Sequence, residues 1–111
     1  MPSHKILQVV AAESPMEKDA IFDKWYKEVH IPTLFEYKGV KEINRYRLKG
    51  DDKNCSRYLT IYEFDNEEDM AGFAKSKAFA NAIKDFEDHK ETVGFISRWF
   101  GIYELVKTMK R

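Results

Sequence analysis

The order of apolar segments and amphipathic helices along this chain, β-α-β-β-α-β, constrains its fold more than any other feature. Four segments have the β-branched and aromatic content of strands: residues 6–12, 40–48, 57–64 and 95–106. One helix is predicted to begin at Ser14 and another at Asn66. This order is that of the ferredoxin-like split β-α-β fold, so the sequence predicts an α+β domain with a four-stranded antiparallel sheet.

The helix starts are predicted from capping signals. Ser14-Pro15-Met16-Glu17 has the pattern of a capping box with proline at the first helical position. Asn66 precedes three acidic residues, which the helix dipole favours in a first turn. The apolar periodicity of this second helix slips near Ser76-Lys77, which predicts a kink or break there.

The first helix carries an aromatic stripe that runs into His30. The stripe recurs at helical spacing and consists of Phe22, Trp25, Tyr26 and Val29. Pro32 disfavours helical geometry at Ile31, so the helix is predicted to end at His30. At a helix end the free carbonyls and the dipole favour a protonated imidazole, with Tyr26 one turn behind it.

The strands are apolar on both faces. In residues 57–64, for example, Leu59 and Ile61 oppose Tyr58, Tyr62 and Phe64. Two covered faces are expected, because large exposed apolar patches usually mark an interface. With the helices on one face, the other is predicted to pack against a second copy in a homodimeric barrel. The alternative is an aromatic platform for RNA, but the third strand lacks the glycine-aromatic signature of those domains.

Length and composition limit the number of domains, the class of partner and the cellular compartment that are expected. The chain has 111 residues, enough for one domain over residues 1–111, and its 19 basic and 19 acidic residues balance. A nucleic-acid partner would favour a basic excess, so none is expected. No segment is long enough to span a membrane, no signal peptide is apparent, and a single cysteine, Cys55, fits a reducing compartment. A cytoplasmic protein is expected.

The residues resemble a known group. Trp25-Tyr26-x-x-x-His30-Ile31-Pro32, with the element order above, resembles the dimeric α+β barrel superfamily and, within it, the EthD-like proteins. Further similarity lies at Gly39-Val40, Arg45-Tyr46 and Tyr62-Glu63. The resemblance implies a ligand pocket between sheet and helices, with the helix-one histidine near it. It also implies reactions that range from cyclisation and isomerisation to decarboxylation and oxygenation. The same superfamily includes members that are not enzymes.

The candidate site follows from both arguments. His30 is interpreted as an acid/base and Tyr26 as its partner, although a carbonyl-bonding histidine and a packing tyrosine explain the same residues. Further ligand-binding candidates, some of which could instead line the dimer barrel, are Trp25, Asn44, Tyr46, Tyr62, Trp99 and Tyr103. No metal-ligand spacing or cofactor motif is present, so no metal or cofactor is expected. The hypothesis is a cofactor-free enzyme acting on a small hydrophobic, aromatic, polyketide- or lactone-like compound; the alternative is a non-catalytic or stress-associated homodimer that binds such a molecule.

Overall fold

The computed structural model describes residues 5–111, which form one antiparallel sheet with helices on one face. The strands are β1 (Ile6–Glu13), β2 (Val40–Arg47), β3 (Tyr58–Phe64) and β4 (Ile96–Glu104). They are arranged in the order β2-β3-β1-β4, with every neighbouring pair antiparallel. This is the predicted ferredoxin-like α+β fold, and it places β2 and β4 at the two edges of the sheet.

The helices lie in two segments, one in each β-α-β half. In the first half, a 3-10 turn (Met16–Lys18) leads into α1 (Asp19–Trp25), a π-helical turn (Tyr26–His30) and α2 (Ile31–Leu34). In the second half, α3 (Glu67–Phe73) is followed by α4 (Lys77–Val93). The predicted break between them is confirmed.

Side-chain caps explain both starts in the second half. The Asp69 amide donates to the Asn66 side chain at 2.8 Å, as the sequence predicts. The Phe79 amide donates to the Ser76 hydroxyl at 3.1 Å, so a new helix begins where the apolar phase slips. A cap in the middle of an apolar pattern therefore changes the direction of the chain.

The predicted capping box at Ser14 is wrong. The first turn has no side-chain cap, and the buried Ser14 hydroxyl has no hydrogen-bond partner among the described residues. Extended geometry at Pro15 delays the start of the helix. The segment is held instead by Arg57, the residue immediately before β3. Arg57 donates to the Ser14 carbonyl at 2.7 Å and pairs with Asp19 at 3.1 Å.

The prediction that Pro32 ends the first helix is also wrong. Ile31 is helical, with φ −63° and ψ −48°, and its amide donates to the Tyr26 carbonyl five residues back. A proline ring normally collides with the carbonyl four residues earlier, and the wider π-helical turn relieves that collision. The helix therefore continues through Pro32 to Leu34, and His30 lies within it.

The sheet register shows which strand residues face the helices. Tyr58, Thr60, Tyr62 and Phe64 alternate along β3 and are all buried. On the opposite face, β4 presents Trp99 and Tyr103, which are 44% and 52% exposed. That open face carries further apolar residues, namely Leu7, Val9, Leu59 and Ile61. Within residues 5–111, no helix is both long and apolar enough to cross a membrane.

Candidate functional site

A cavity of about 420 Å³ lies between the sheet and the helices. Only four of the side chains that line it are polar: Gln8, Tyr26, His30 and Tyr62. The remaining lining is apolar and includes five phenylalanines, at positions 73, 79, 86, 95 and 100. Because its lining contains no charged side chain, the cavity suits a small, uncharged, mainly apolar molecule held by a few polar contacts.

His30 reaches this cavity from the π-helical turn. Its imidazole stacks on the Trp25 ring, with centres 4.7 Å apart, and meets the Tyr26 ring edge-on at 4.9 Å. The Nδ1 atom is buried and has no hydrogen-bond partner among the described residues. The ring is thus fixed by packing on two sides, while its Nδ1 makes no hydrogen bond within residues 5–111.

The same surroundings set the charge of His30. Burial lowers the pKa of the imidazole to about 4, and the positive charge of Arg45 lowers the pKa further, while Asp85 opposes both. His30 is therefore neutral at pH 7. The prediction of a protonated imidazole is wrong, because the helix continues and leaves no free carbonyl end at His30 to favour the charge.

Trp25 stacks on the His30 ring and is itself bonded to α4. Its indole Nε1 donates to the Asp85 carboxylate at 2.8 Å, which ties the end of α1 to α4. The same carboxylate lies 3.1 Å from His89 Nδ1 on α4. Trp25 is not among the residues that line the cavity, and it contacts the imidazole that does.

Tyr26 and Tyr62 form the other polar part of the lining. Both are almost completely buried, Tyr26 on the π-helical turn and Tyr62 on β3. Burial, together with the neighbouring Tyr26, raises the pKa of Tyr62 well above its ordinary value. Tyr62 therefore offers a neutral hydroxyl to a ligand. The structure brings together Tyr26, His30 and Tyr62 of the predicted site residues.

The other four predicted residues lie on the opposite face of the sheet. Asn44 and Tyr46 of β2 pair with Ile61 and Leu59, while Trp99 and Tyr103 of β4 pair with Ala11 and Leu7. Because strand side chains alternate between faces, these four cannot share a cavity with His30. They lie away from the His30 cavity and form part of the open face, so of the two predicted places, a pocket or the dimer barrel, they do not share the pocket of His30.

The sequence prediction missed most of the lining. The phenylalanines belong to ordinary apolar patterns of helices and strands, and Gln8 sits in an apolar strand without a distinguishing pattern. Arg45, which contacts Tyr26, appeared in the sequence only within the Arg45-Tyr46 similarity, because the sequence does not show which face of its strand the helices cover. No group of three or more histidine, cysteine, aspartate or glutamate side chains in residues 5–111 could hold a metal ion.

Comparison with known proteins identifies a family and a fold. A family model described as "Domain of unknown function (DUF4286)" matches residues 6–98. No protein of curated function matches the chain. The structure is similar to that of HapK from Hahella chejuensis, with 10% identical residues, a TM-score of 0.71 and coverage of 96% of this chain and 97% of that one.

Two further solved structures have the same architecture. An ethyl tert-butyl ether D (EthD) family protein from Bacillus halodurans is 19% identical, with a TM-score of 0.67 and coverage of 93% and 99%. A dimeric ferredoxin-like protein of unknown function from Bacteroides fragilis is 18% identical, with a TM-score of 0.65 and coverage of 91% and 96%. At these identities the similarity shows the fold, and it confirms the resemblance to EthD-like ferredoxin-fold proteins at that level.

Proposed function

This chain belongs to the family described as "Domain of unknown function (DUF4286)", and we propose that it binds a small, uncharged, hydrophobic molecule in the cavity beside His30. The observation that carries the proposal is the cavity itself, about 420 Å³ of mostly aromatic and aliphatic lining with its polar groups few and neutral. An aromatic ligand of polyketide or lactone type matches that lining. Its oxygen atoms would meet His30, Tyr26 and Tyr62, and its rings the phenylalanines.

A dye-binding experiment tests the cavity. Ala74 lies at its mouth, because the residue is exposed and also lines the cavity, so Ala74→Trp should obstruct entry. Ala80 on α4 is equally exposed and does not line it, which makes Ala80→Trp a matched control. The uncharged dye N-phenyl-1-naphthylamine becomes fluorescent in apolar sites. We expect at least a tenfold loss of affinity in Ala74→Trp and none in Ala80→Trp; equal binding by both variants contradicts the proposal.

We propose that the open face of the sheet packs against a second copy. The face presents two large exposed aromatics, Trp99 and Tyr103, above a row of aliphatic side chains. In light scattering after size exclusion, Trp99→Glu should elute as a monomer. Phe35→Glu, an equally exposed aromatic on the helical side, should remain dimeric. A wild-type monomer would refute the interface.

The single cysteine fits a reducing, cytoplasmic setting.

A catalytic role is the second candidate, because His30 and two tyrosines line the same cavity. Proton transfer during cyclisation, isomerisation, decarboxylation or oxygenation would use the neutral imidazole as the proton acceptor. A pKa of about 4 makes His30 a weak base at pH 7, and this favours binding as the primary function. Once a ligand is identified, His30→Gln should abolish its turnover if the residue is catalytic. Conversion at the wild-type rate excludes that role.

A further inference from the structure

Arg45 is a buried cation directly behind the wall of the cavity. Its side chain on β2 is 8% exposed and points toward the helices. The guanidinium carbon lies 4.1 Å from the centre of the Tyr26 ring and 4.0 Å from that of Tyr58, with Phe22 at 5.3 Å. These distances are typical of cation–π contacts. The guanidinium therefore touches Tyr26, which itself lines the cavity.

The polar contacts of Arg45 are incomplete. Its Nε donates to the Asp23 carboxylate at 3.2 Å, and its Nη1 donates to the Thr60 hydroxyl at 3.4 Å. The Nη2 group is buried without a partner among the described residues. Asp23 also pairs with Lys27 at 2.9 Å, so the carboxylate is shared. A buried ion pair with an unused donor is a costly way to gain stability, since an apolar side chain of similar volume usually serves as well.

We infer that Arg45 is the positioning residue of the cavity: it holds Tyr26 in place from behind and keeps a positive charge beside the His30 imidazole. This inference rests on the proposed function, because it assigns Arg45 to the cavity that is proposed to bind the ligand. Stacking on two rings fixes the orientation of the Tyr26 hydroxyl. The charge adds to the burial that lowers the pKa of His30, so the imidazole stays neutral and available as a hydrogen-bonding group for an uncharged ligand.

The size of the charge effect follows from the geometry. Tyr26 touches Arg45 at 4.1 Å and the His30 ring at 4.9 Å, which places the charge within about 9 Å of the imidazole. One unit charge at about 9 Å shifts a pKa by roughly 0.3 to 1.4 units for effective dielectric constants of about 80 to 20. The other charged group that acts on His30 is Asp85 on α4, with opposite sign.

Two substitutions separate the two roles of Arg45. Arg45→Met removes the charge and retains most of the volume, whereas Arg45→Lys retains the charge and removes the planar group that stacks on Tyr26 and Tyr58. Arg47→Met is the control, since Arg47 is an exposed cation two residues along the same strand. For each protein, the His30 Hε1 resonance is titrated by NMR and the affinity for N-phenyl-1-naphthylamine is measured.

We expect Arg45→Met to raise the pKa of His30 by roughly 0.3 to 1.4 units and to weaken dye binding at least threefold. Arg45→Lys should leave the His30 titration close to wild type and weaken dye binding, and Arg47→Met should change neither. If Arg45→Met has the His30 titration and the dye affinity of the wild type, the inference is overturned. If Arg45→Met does not fold, wild-type dye affinity in Arg45→Lys overturns it instead. Failure of the wild-type protein to bind dye refutes the proposed function, while the titration still decides the effect of Arg45 on His30.

Discussion

Protonation of His30 should destabilise this protein strongly between pH 6.5 and pH 4. The imidazole has a pKa of about 4 in the folded chain against an ordinary value of 6.5, because burial disfavours its charged form. Between these values the unfolded chain binds a proton that the folded chain does not, so stability falls as the pH falls. The stabilising contribution is complete above pH 6.5 and is lost as the pH approaches 4.

The pKa difference sets the magnitude. A shift of about 2.5 units is equivalent to about 3 kcal/mol, and about 2.5 kcal/mol of this should be lost between pH 7.5 and pH 4.5. Carboxylates contribute to any acid unfolding, so the measurement compares wild type with His30→Phe, which keeps an aromatic ring against Trp25 and cannot titrate. Urea unfolding at a fixed protein concentration gives the free energy at each pH.

Two outcomes decide the argument. The wild-type protein should lose about 2.5 kcal/mol more than His30→Phe over this pH interval. Parallel curves for wild type and His30→Phe would show that the imidazole is not held neutral by burial, and the account of the cavity would have to be revised.

Three further predictions concern the fold. Phe22 is completely buried against Tyr26 and Tyr58, so Phe22→Ala should cost about 3–5 kcal/mol in urea unfolding, and a loss below about 1 kcal/mol would contradict this packing. Asn66→Ala should lower the free energy of unfolding by about 1 kcal/mol, while Asn66→Gly, which keeps a favourable cap conformation, should cost only a few tenths. Gly94→Ala should lower the thermal midpoint through a cost of about 1–2 kcal/mol, because Gly94 has φ +68°; an unchanged midpoint would argue against this backbone geometry.

The π-helical turn connects the fold to the site. Without it, Pro32 would end the helix at His30, and the imidazole would lie beside free carbonyls. With it, the helix continues, and His30 is held between Trp25 and Tyr26. Insertions of this kind are frequent at functional sites. The proline that marks the sequence motif is therefore important for the shape of the turn that carries the histidine.

The sequence determined the elements of this protein and their order. The β-α-β-β-α-β pattern, the Asn66 cap and the break before Lys77 all follow from local chemistry, since periodicity and capping depend on residues within a few positions of one another. His30 and Tyr26 could be singled out for the same reason. They share one turn, and their proximity requires no knowledge of the rest of the fold.

Tertiary structure decided the face on which each strand residue lies, and with it the membership of the site. Tyr62 enters the cavity while Tyr46 and Trp99 do not, because a strand with two apolar faces does not indicate which face the helices will cover. The charge of His30 was decided in the same way. Local sequence favoured a proton at a helix end, whereas burial among residues distant in the chain, together with the charge of Arg45, removes it. Desolvation depends on everything that surrounds a group, and the folded chain alone brings those surroundings together.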